Sequence, residues 1–159
     1  AYKMAEYTYD VLKKYGPAAV EDNRHHKVTK ALEDVTFINI AVTGVIANIT
    51  KSFSQSALGH MMYDGVRTFF TQEAKDALHG EIVAVALFTQ LYYNKLSEQK
   101  EQLKEFMRGM DMPLTLEELG VPCTEKNLKT LEDYLIDSPY VDPSPESLAL
   151  LHEAMKQMQ

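Results

Sequence analysis

A single cysteine, Cys123, in 159 residues excludes an internal disulfide and fits a reducing, cytoplasmic compartment. It sits in Gly120-Val121-Pro122-Cys123-Thr124 with no histidine beside it, so it reads as a small buried hydrophobe rather than a nucleophile. No uninterrupted apolar run reaches ~18 residues, so the sequence predicts no membrane crossing. A basic-then-apolar leader is missing too; the helical pattern starts at Ala1, as though in the middle of a longer protein. Clustered positive charge is equally scarce. The formal charge of -7 argues against a nucleic-acid surface, because phosphate binding needs grouped Lys and Arg. The densest basic stretch, Arg24-His25-His26-Lys27, is preceded by Glu21 and Asp22 and reads as a solvated helix face. There is no Gly-x-Gly-x-x-Gly, no phosphate-binding Gly-rich loop and no Gly-x-Ser-x-Gly elbow. These residues alone therefore offer no visible means of binding a dinucleotide.

What is present is helical. Apolar residues make up 45% and charged residues 25%, ordinary for a globular protein, and no alternating run bounded by turns suggests a sheet. The reading is one all-α domain over residues 1–159. A first helix is expected from Tyr2 to Tyr15, stopped by Gly16-Pro17, with Pro17 opening the next. The run Val28, Leu32, Val35, Ile38, Val42, Val45 and Ile49 gives an apolar face. The extra Phe37, Ile40, Ala41 and Ile46 predict burial on most sides, and Gly44 argues for an interruption. A loop is expected over Thr50 to Ser54, and Thr71 is a candidate N-cap for a turn from Gln72 to Leu78. A core helix follows from His79 to about Leu96, apolar all round between Ile82 and Leu87. Thr115-Leu116-Glu117-Glu118 has the form of a capping box before a short helix. Thr124 and Ser144-Pro145-Glu146 mark the starts of the last two long helices.

Two histidines stand out. His60 lies in Ala57-Leu58-Gly59-His60-Met61-Met62-Tyr63-Asp64-Gly65, and His79 opens His79-Gly80-Glu81. A histidine at a helix start faces the positive end of the helix dipole, which favours the neutral, metal-binding imidazole. The plainer reading is that each is a satisfied core or edge residue. Two histidines also do not complete a catalytic zinc site, which takes three protein ligands. Asp64 and Asp76 are the nearest candidates for a third, and pattern alone does not choose between them. His25, His26 and His152 are spaced without relation to the pair.

The stretch from Ser56 to Asn94 resembles the C-terminal helical domain of glycerol dehydrogenase-type enzymes, within the dehydroquinate synthase-like, metal-dependent alcohol dehydrogenases. That family carries an Ala/Gly-His segment ending in Gly and, a helical hairpin later, His-Gly-Glu-x-Val-Ala. Here these are Gly59-His60 through Gly65 and His79-Gly80-Glu81-Ile82-Val83-Ala84. Met4 to Thr43 resembles the family's paired helices, and Met112 to Leu119 resembles its Leu-Pro-x-Thr-Leu-x-x-Leu segment. There are departures: Tyr63 stands where the family often has a second histidine, Asp64 where Asn is common, and the Thr43–His60 connection is longer.

The resemblance implies a helical-bundle domain in which His60 and His79 ligate a divalent metal, zinc first and iron next. It implies a third ligand, an aspartate, and an NAD-binding α/β domain, both ahead of Ala1. The substrate would be a small alcohol or polyol, oxidised by hydride transfer to NAD in a homo-oligomer. The 159 residues alone would be inactive. Two other readings stay open: a dehydroquinate synthase-like cyclase, which needs more basic residues near the site than Arg67 and Lys75, and a non-catalytic helical interaction module.

Overall fold

A computed structural model of the protein describes residues 1–50 and 57–159. Among these residues the regular structure is helical throughout, with no strand. Contacts divide the chain into two compact units, Ala1–Gln55 and Ser56–Gln159.

The first unit is built on α1 (Tyr2–Arg24), α2 (Lys30–Phe37) and α3 (Thr43–Thr50), the last two joined by a π-helical turn over Ile38–Val42. α1 runs straight through Gly16-Pro17, where the sequence predicts a stop. An interior proline loses one backbone hydrogen bond and crowds the preceding turn. Burial of Val11, Gly16 and Ala19, with α1 packed along α2, offsets that cost. α2 begins where expected of a capped helix: the Thr29 hydroxyl accepts the Leu32 N–H at 3.3 Å. The interruption lies in the π-helical turn rather than at Gly44, which is inside α3. There the Thr43 hydroxyl donates to the Ile38 carbonyl at 3.0 Å. The predicted burial on most sides is corrected: Ile38 is buried, whereas Phe37, Ile40, Val45 and Ile49 are exposed. By length and composition alone, Lys30–Thr50 is long and apolar enough to cross a membrane. Counting only unbroken apolar runs had passed over it. Of the expected Thr50–Ser54 loop, Thr50 ends α3 and the rest lies outside the described residues.

The second unit holds α4 (Leu58–Phe69), α5 (His79–Tyr93), α6 (Lys100–Arg108), α7 (Glu125–Ile136) and α8 (Pro145–Met155). α5 is its axis, packed against α4, α8 and the closing turn Lys156–Met158. No residue from Glu81 to Tyr93 is exposed, as an all-round apolar sequence requires. Phe88, Val85 and Ile82 from α5 meet Met62 and Val66 from α4 and Leu131, Leu135 and Leu151 from α7 and α8 in one buried cluster. Each such side chain contributes about 1.5–3 kcal/mol on burial. Gly65 sets the α4–α7 spacing, since a Cβ there would lie 3.0 Å from a Tyr134 ring carbon and 3.2 Å from a Leu131 methyl.

The expected caps at Thr124 and Ser144 are present, accepting the Asn127 and Ser147 N–H groups. Two other expectations are corrected. The Thr71 hydroxyl does not cap a following turn but donates back to the Arg67 carbonyl. Thr115 and Glu118 do bond the Glu118 and Leu114 N–H groups, yet the segment stays a set of turns. Gly120, at φ +92°, turns the chain out of any helix at once.

Candidate metal centre

α4 starts without a side-chain cap at Ala57. The first turn of any helix leaves N–H groups without partners. Here α5 supplies one: the Gln90 side-chain oxygen accepts the Gly59 N–H at 3.0 Å. Gly59 is buried against Val83 and Ala86 of α5, so its missing side chain serves helix approach rather than access for a cofactor. The next residue is His60, half-buried.

Leu78 precedes α5, and its N–H donates to the Glu81 carboxylate at 2.7 Å. Glu81 thereby closes the helix start, and its negative charge suits that end of the dipole. His79 is the first helical residue and is exposed. Gly80 beside it borders open space.

The structure brings the two histidines together. Their ring centroids are 5.8 Å apart with planes inclined at 60°. Zinc–nitrogen bonds of ~2.0–2.1 Å at a tetrahedral angle put two ring centroids roughly 5 Å apart, and the observed 5.8 Å is near that spacing. The donor chemistry fits as well, because neutral imidazole suits zinc and iron alike. Neither Asp64 nor Asp76 completes the set; among the described residues no cluster of three His, Cys, Asp or Glu side chains could hold a metal ion. Both aspartates are exposed.

Tyr63, one turn beyond His60, meets the His79 ring edge-on at 4.3 Å between centroids. Arg67, one turn further, sits 5.5 Å from the centre of the Tyr63 ring. Its guanidinium also donates to the Ala74 carbonyl at 2.8 Å and the Ala77 carbonyl at 2.5 Å. It therefore ties down the 70–78 connection that delivers His79. Sequence reading named Arg67 only as a stray cation and passed over Gln90 altogether. Their partners lie 7, 10 and 31 residues away, beyond any local pattern.

Next to the α5 start is an open acidic cleft of about 500 Å³, lined by Glu73, Asp76, Glu81, Asp111 and Glu118 among others. The remaining histidines stay away from the pair. His25 pairs with Glu21 at 2.8 Å on the α1 surface, and His152 pairs with the buried Glu132 at 3.0 Å. Burial pushes the half-buried Cys123 thiol up from its ordinary value, and the nearby Glu117 charge adds to this against a hydrogen bond from Gln159. That environment suppresses the thiolate a nucleophile needs.

No protein-family model matches the chain. It is 29% identical over 128 residues to the glycolaldehyde reductase of Halobacterium salinarum, a match covering 79% of this chain and 33% of that protein. It is 27% identical over 124 residues to the glycerol dehydrogenase of Thermotoga maritima, covering 76% and 32%. The chain is a relative of the glycerol dehydrogenases. A crystal structure of a probable glycerol dehydrogenase from Sinorhizobium meliloti superposes with a TM-score of 0.80 at 20% identity, over 98% of this chain and 44% of that one. That likeness shows the fold, the all-α C-terminal domain of glycerol dehydrogenases. The chain spans about a third of the length of these curated relatives.

Proposed function

We propose that residues 1–159 are the metal-binding helical domain of an NAD-dependent alcohol or polyol dehydrogenase. The observation that carries this is the meeting of His60 and His79 in a chain related to glycerol dehydrogenases. The two imidazoles would hold a divalent ion, zinc first and iron next, with an aspartate from outside these residues. When bound, such an ion polarises the substrate hydroxyl and stabilises the negative charge that develops on its oxygen. NAD, carried by a nucleotide-binding domain elsewhere in a longer polypeptide, would accept the hydride.

This chain's own residues then have defined tasks. His60 is fixed by the α4–α5 junction, and His79 by the α5 start. Both must present neutral ring nitrogens, so protons compete with the ion on acidification. Glu81 is engaged with the Leu78 N–H and serves the helix start rather than acting as a base. Binding in the full protein would orient a small alcohol or polyol near the ion, with glycerol the first to try.

The cyclase reading loses ground on one observation. Arg67, one of two cations that could meet an anionic substrate, is committed to the Ala74 and Ala77 carbonyls. NADH formation from glycerol tests the proposal. The expected result is activity in the polypeptide that includes a nucleotide-binding domain, loss of that activity in His60→Ala and His79→Ala, and none from residues 1–159 alone. Full activity in either histidine variant would sink it.

A further inference from the structure

We propose that Tyr63 and Arg67 form a positioning column that holds the His79 imidazole for metal ligation; the inference rests on the metal reading of His60 and His79. Metal-ligating histidines ordinarily donate their second ring nitrogen to a carboxylate or carbonyl, which fixes the ring. His79 shows no such partner among the described residues, and it is exposed at the first position of α5. A side chain there has free rotamers unless something packs on it. Two rings do: His60 at 5.8 Å and Tyr63 at 4.3 Å. The Tyr63 contact is the closer, and its edge-to-face geometry is the one aromatic quadrupoles favour.

Tyr63 is itself held. The Arg67 guanidinium lies near its ring, a cation–π arrangement, and the same guanidinium bridges the Ala74 and Ala77 carbonyls. Ala77 is two residues before His79. One planar fork thus binds the backbone that leads to His79 and steadies the ring that His79 leans on. Lysine could not do both, because it is a point donor without the fork.

The test uses the protein at its encoded length, with histidines labelled at the ε1 carbon, and the variants Tyr63→Phe, Tyr63→Leu and Arg67→Lys. In the metal-free protein the His79 resonance, assigned by its absence in His79→Ala, reports the ring contact. Cobalt(II) titration, read by absorption, reports ligation. Tyr63→Phe is expected to leave both unchanged. Tyr63→Leu is expected to move the His79 resonance and weaken cobalt binding by about 10–100-fold, the usual cost of losing a supporting group. Arg67→Lys is expected to shift both in the same direction by a smaller amount. Circular dichroism confirms that each variant folds, and Tyr63→Phe rescues what Tyr63→Leu loses only if the ring itself matters. An unmoved His79 resonance and unchanged cobalt affinity in Tyr63→Leu would overturn the proposal. If the wild-type protein bound no cobalt, the metal reading would fall, while the resonance shift would still decide whether Tyr63 positions His79.

Discussion

The Gln90 side-chain oxygen accepts the Gly59 N–H at 3.0 Å, so α5 caps α4 one residue before His60. Ala57, ahead of α4, offers no side-chain cap, and without Gln90 that N–H would be left without a partner in a mostly buried junction. The histidine pair is thus built into the packing of two core helices.

Gln90→Leu removes that acceptor while keeping the volume. We expect a loss of about 1–2 kcal/mol, in the range for a buried donor left without a partner. Urea unfolding measures it; a midpoint equal to wild type would show that water replaces the cap at no cost.

Gly120 has φ +92°, and a Cβ there would run into the Glu73 backbone carbonyl. Gly120→Ala combines a left-handed backbone with a clash that cannot relax by side-chain rotation. We expect it to destabilise by about 1–3 kcal/mol, whereas Gly80→Ala, which borders open space, should change little. The comparison by thermal or urea denaturation is direct, and equal effects at the two sites would contradict it.

Burial, then the Glu117 charge, raises the Cys123 thiol above its ordinary range. The folded thiol therefore stays protonated where the unfolded one has begun to ionise. Iodoacetamide at about pH 8, close to the free-thiol midpoint, should modify the folded protein more slowly than the urea-unfolded chain. The linkage has a definite sign: the unfolded state releases its proton first, so this thiol's contribution to stability is lost as pH rises past the unfolded value. Equal alkylation rates in the two states would contradict the burial argument.

Much of the second unit is readable from residue pattern. Thr124 and Ser144 start helices because a hydroxyl in that position can accept an N–H from the first turn. Ile82 to Leu87 lies at the centre because no face of it is polar. His79 and His60 were legible as candidates, and their meeting follows from α4 and α5 forming a tight pair. What pattern could not supply was tertiary. Pro17 stays inside α1 because packing on α2 outweighs a local breaker, and Thr115-Leu116-Glu117-Glu118 remains a turn because Gly120 redirects the chain. Leu116 is also tied by its N–H to the Met158 carbonyl at 3.0 Å. Arg67 acts through carbonyls on a neighbouring connection, and Tyr63 through a ring on the next helix. None of these leaves a local trace.

The central claim is that His60 and His79 jointly hold a divalent metal. The most direct measurement is the metal content of the purified protein at its encoded length, by inductively coupled plasma mass spectrometry, for wild type, His60→Ala and His79→Ala. The account predicts stoichiometric zinc or iron in the wild type and its loss in both variants. Metal retained at wild-type level in both folded variants would contradict it.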